Sequence, residues 1–139
     1  MAIKMRILHA TKKAKLIAMA GILNDEFKLT ANAVDCIPPA YSCDRERLLI
    51  LIMTLKGDLD NKVRLFCREL SKERAQNTAL ICDGSEDAAK KLLELLKEAG
   101  TNVIDNVHFV KGGIPFLKGV SSDERAALVN WVNEVIESL

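Results

Sequence analysis

Lys12, Lys13 and Lys15 crowd together directly behind His9-Ala10-Thr11, where an apolar run ends. If a helix begins there, its N-terminus is the positive end of the dipole, and each cation on it costs about 0.3–1 kcal/mol. A phosphate group would reverse that sign, because free backbone N–H groups and lysines would both face an anion. The competing reading is a set of solvated surface lysines. Thr11 offers a hydroxyl for such an anion or for capping the helix. His9, at a strand end, is placed either to touch a ligand or to make a local hydrogen bond. No catalytic triad, paired-carboxylate site or Walker loop is present. Cys36, Cys43, Cys67 and Cys82 form no CxxC pair, so they read as reduced thiols of a cytoplasmic protein rather than a metal site.

The elements that must position these groups follow from the hydropathy pattern. Five apolar runs are expected as strands: Met5 to Ala10, Ala33 to Ile37, Leu48 to Thr54, Thr78 to Asp83 and Val103 to Val110. The third is almost continuously apolar, as a strand covered on both faces requires. Between the runs, apolar residues recur at helical spacing: Leu16, Met19, Ala20 and Leu23; Val63, Phe66, Cys67 and Leu70; Ala89, Leu92, Leu93 and Leu96; Leu128, Trp131, Val132 and Val135. Asp60 and Ser85 stand as helix starts, Gly100 as a left-handed helix end, and Ser121 with Glu124 as a capping box. Strands alternating with helices imply an α/β fold with a parallel sheet. The link PPAYSCDRER is short for a crossover, so a helical turn or an extended arm must serve there.

The chain reads as one domain over residues 1–139. A net charge of +1 gives no global field toward nucleic acid or a membrane, and no apolar run is long enough to span one. The N-terminal stretch is interrupted too soon for a signal peptide and reads as a first strand.

Ligands of open parallel sheets bind beyond the carboxyl ends of the strands. Four loops make that edge here. They start at His9 to Lys13, at Thr54, Leu55, Lys56, Gly57 and Asp58, at Asp83-Gly84-Ser85, and at Lys111-Gly112-Gly113. Lys56, Lys111 and Lys118 add positive charge there; Asp58, Asp60, Asp83, Glu86 and Asp87 offset it. His108 falls inside the fifth run, Trp131 on a helix stripe, and Tyr41 in the short crossover.

Three stretches resemble the flavodoxins: MRILHATKKAKLIAMAGIL, LLILIMTLKGDLDNKVRLFCREL and VHFVKGGIPFLKGVSSDERAALVNWV. The resemblance implies a three-layer, doubly wound, five-stranded parallel sheet in the order 2-1-3-4-5, with FMN at the carboxyl edge. It places cofactor-binding residues at His9, Thr11, Lys12, Lys13, Thr54, Leu55, Gly57, Asp83 and Gly84. The loops depart from the family pattern. Where flavodoxins hold the phosphate with Thr/Ser-x-Thr-Gly-x-Thr, this chain has His9-Ala10-Thr11-Lys12-Lys13-Ala14. No aromatic residue stands at Thr54 to Gly57 or at Asp83 to Asp87 to stack on the flavin ring. Weak or absent FMN binding is expected. The leading expectation is a repurposed, flavodoxin-like accessory module that docks on a redox enzyme. An atypical FMN electron carrier and an enzyme acting on a phosphate-bearing small molecule are the alternatives.

Overall fold

Leu48 to Met53 are six consecutive residues with no solvent exposure, which only a central strand with both faces covered can achieve. The computed structural model describes residues 4–57, 59–111 and 119–139, and it places that run at the middle of a parallel sheet. The elements in chain order are β1 (Met5–Ala10), α1 (Ala14–Phe27), β2 (Val34–Cys36), β3 (Leu48–Leu55), α2 (Asn61–Arg68), β4 (Asn77–Gly84), α3 (Glu86–Ala99), β5 (Asn102–Val103), β6 (His108–Phe109) and α4 (Ser122–Glu137). The strand order is β2-β1-β3-β4-β5, with β6 also on β4, and every pairing is parallel.

Alternation along the strands sends side chains to two cores. Ile7, Ile50, Ile52 and Ile81 meet Leu16, Met19 and Leu23 of α1 and Leu128, Val132 and Val135 of α4. Leu8, Leu49, Leu51 and Leu80 meet Val63 and Cys67 of α2 and Leu92, Leu93 and Leu96 of α3. Each fully buried aliphatic side chain contributes about 1.5–3 kcal/mol. The helix ends follow the sequence signals: Ser85 Oγ accepts from the Ala88 N–H, Gly100 is left-handed, and Ser121 and Glu124 form the reciprocal box. Asp60 stands at the start of α2 but makes no side-chain capping bond.

Two expectations change, and the short crossover takes the arm of its two readings. The fifth run is not one strand but two dipeptides, β5 and β6, paired at different heights along β4. The break contains Asn106, whose carbonyl accepts the Trp131 indole N–H at 2.9 Å, and a buried indole needs such an acceptor. The short crossover holds no helix; it is an arm whose Cys43 is buried on the α2/α3 face. Phe66 is only half-buried, because Val63 and Cys67 take the inward line of α2. Among the described residues, no helix is long and apolar enough to cross a membrane.

Candidate functional site

The carboxyl ends of β1, β2 and β3 surround a shallow depression of about 530 Å³. His9, Thr11, Lys12, Lys13 and Thr54 line it, together with Lys56. Leu55 and Gly57 border an adjoining cleft of about 180 Å³ under the β3–α2 turn. Gly57 has φ 69°, the left-handed region that a glycine enters without strain. Asp58, Gly112, Gly113 and Lys118 lie outside the described residues.

The polar groups of this edge are mostly engaged with one another. Thr11 Oγ1 and Thr54 Oγ1 share a hydrogen bond of 2.6 Å. The Thr11 hydroxyl also accepts the Lys13 N–H at 3.1 Å. Thr11 is therefore not the N-cap of α1: Lys13 occupies that position, and no side chain caps the helix. The hydroxyl instead ties the loop to β3, because Thr54 lies within its reach across the edge. Lys13 Nζ stands 3.3 Å from Asp83 Oδ2, with each side chain 15% exposed. The contact is an ion pair without hydrogen-bond alignment, since Oδ2 has no hydrogen-bond partner. Lys15 pairs with Glu124 at the start of α4, and that pairing holds the Glu124 carboxyl below its usual range. Of the three clustered lysines, Lys12 alone is exposed.

His9 is half-buried, and desolvation pushes its pKa below 6.5 against the opposing pull of Asp35, so the ring is neutral at pH 7. Gly84 is a packing residue: a Cβ there would sit 2.7 Å from the Leu55 carbonyl oxygen. Trp131 is buried in the α1/α4 core. Tyr41 lies at the opposite end of the sheet, with its carbonyl bonded to Arg6. No phenylalanine, tyrosine or tryptophan among the described residues lines the depression.

Cys36, Ile37, Asp60 and Val63 also line the depression. Cys36 is the one exposed thiol of the four. It pairs in register with His9 across β1 and β2. The carboxyl end of the second strand belongs to the same edge as the other loops, and counting it with them would have brought Cys36 in. Among the described residues, no three His, Cys, Asp or Glu side chains converge as a metal site. Neither a protein-family model, nor a curated protein, nor a solved structure matches this chain.

Proposed function

We propose that this chain is a flavodoxin-like module whose cofactor edge has closed on itself, and that it serves as an accessory binding partner in a redox system. The strand order and the two-faced core support the flavodoxin-like reading. The Thr11–Thr54 hydrogen bond is the observation that carries the loss of cofactor binding. An FMN phosphate would draw on the Thr11 hydroxyl, which here already bonds Thr54 and the Lys13 N–H. It would also stand near the Asp83 carboxylate, which keeps Lys13 as its counterion.

The ring lacks walls as well. Leu55 and Met53 offer only apolar contact beside the edge. Aromatic contacts contribute about 0.5–1.5 kcal/mol each beyond buried area, so two missing walls weaken FMN by about ten- to a hundredfold. The described residues therefore do not fit a tightly held flavin. A titration of FMN with the purified protein, read by flavin fluorescence, tests the proposal. The expected outcome is a colourless protein with micromolar or weaker affinity. A yellow protein, or nanomolar affinity, would restore the electron carrier.

A further inference from the structure

α2 and α3 cover the same face of the sheet, and a groove of about 450 Å³ opens between them. It shares Leu55, Gly57 and Leu59 with the small cleft under the β3–α2 turn, but its other walls belong to the two helices. Small residues keep it open. Ala88 stands on the α3 wall, and a Cβ at Gly57 would meet nothing within 4 Å. The volume falls within the range of small-molecule sites.

The groove is aliphatic inside and charged at its rim. Leu92 is buried, whereas Leu55, Leu59 and Leu95 are only half-buried and line the groove with the surface they leave uncovered. Arg64 on α2 and Lys91 on α3 are both exposed, so their charged heads are reachable from solvent. Neither has an acidic partner within 4 Å among the described residues. Arg64 Nη2 donates to the Leu59 carbonyl at 3.3 Å, which holds the guanidinium beside the groove wall. Asp87, one turn before Lys91, is the one carboxylate lining the groove among the described residues. Two cations against one carboxylate leave the rim positive. A charge contact at an exposed rim is weak, so it selects the sign of a ligand's head group more than it sets affinity. Affinity must come from apolar surface that shields the leucines from water.

We propose that this groove binds an aliphatic monocarboxylate of medium chain length. Its chain lies along Leu55, Leu59, Leu92 and Leu95, and its carboxylate meets Arg64 and Lys91 at the rim. No aromatic side chain among the described residues lines the groove, so a flat ring has nothing to stack on, whereas a flexible chain fits a leucine surface. The apolar stretch of α3, from Ala88 to Leu95, is about 10 Å long at the rise of a helix. A medium chain fills that length, and a partner helix would overrun it. Each methylene that the leucines fully enclose strengthens binding about fourfold, and about threefold in a groove open to solvent.

Amide NMR titration of the full chain tests this with octanoate, hexanoate, octylamine and octanol, each below its micelle concentration. Octanoate should give saturable shifts at Leu55, Leu59, Ala88 and Leu95. Hexanoate, two methylenes shorter, should bind about tenfold more weakly, and octylamine about fivefold more weakly. Arg64→Gln should weaken octanoate about threefold and leave octanol unchanged. Ala88→Phe fills the groove and should remove the octanoate shifts; if that variant does not fold, Arg64→Gln, at an exposed position, still decides. The proposal is overturned if octanoate gives no saturable shift, if octylamine binds as well, or if Arg64→Gln leaves the octanoate affinity unchanged. It is equally overturned if the free protein is a dimer whose interface covers these same amides.

Discussion

Adding one methyl group at Gly84 tests whether this glycine serves packing rather than a ligand. Gly84 ends β4 in register with Leu55 of β3. An ideal Cβ there lies 2.7 Å from Leu55 O, 3.0 Å from Leu55 Cβ and 3.3 Å from Cys82 Sγ. The closest atom is backbone within a paired strand, so it cannot swing away as a side-chain tip would. Two effects oppose each other in Gly84→Ala. Restricting the unfolded chain stabilises by about 0.4–1 kcal/mol, whereas overpacking costs about 1–3 kcal/mol. The clash wins, and the net loss is about 0.5–2 kcal/mol. With a urea m-value of about 2 kcal/mol/M, the midpoint falls by about 0.3–1 M. Gly21→Ala is the internal control: nothing lies within 4 Å of that Cβ, on a helix, so the same change should stabilise by about 1 kcal/mol. Urea melts followed by circular dichroism measure both. A Gly84→Ala protein as stable as the parent would refute the packing role and return Gly84 to the candidate ligand groups.

Burial raises the Cys67 thiol to about 12 and the Cys82 thiol to about 11. A raised folded pKa means stability that is complete below pH 9 and is lost as pH climbs toward those values. Between pH 9 and 11 the parent should therefore lose about 1.4 kcal/mol per pH unit more than Cys67→Ala, and parallel pH profiles would contradict the burial. His108 lies 5.4 Å from Trp131, ring to ring, and burial lowers its pKa below 6.5. The neutral ring's contribution is present above pH 6.5 and fades as pH falls, so Trp131 emission should titrate with a midpoint below 6.5; a midpoint above it would show the ring to be solvated.

Features set by local spacing were legible in the sequence. The stripes of α1, α3 and α4 are buried residue for residue, because an amphipathic period needs only one chain segment to be read. The Ser121–Glu124 box is equally local. What the sequence hid depends on groups that meet only in space. Asn106 interrupts the fifth run with its carbonyl on Trp131, which lies 25 positions further along. Thr11 looks like a cap until Thr54, 43 positions away, comes within 2.6 Å. Arg6 falls inside the first apolar run, and its burial beside Cys43 follows from the path of the arm over that face.

The lysine cluster shows how such distant partners change a functional argument. Read along the chain, Lys12, Lys13 and Lys15 are three cations unfavourably placed at a helix start. In the fold, Lys13 reaches β4 through Asp83 and Lys15 reaches α4 through Glu124, so two of the three pin α1 to its neighbours. An anion competing for Lys13 would leave Asp83 without its cation. Breaking a fully buried pair costs about 3–5 kcal/mol, and somewhat less where each partner is 15% exposed. A new lysine contact at an exposed site returns only about 0–1 kcal/mol. The exchange is therefore unfavourable, and Asp83 keeps its lysine. Any anion drawn to this edge must be held by Lys12 and Lys56 on the exposed rim, where water screens the charge and affinity stays low.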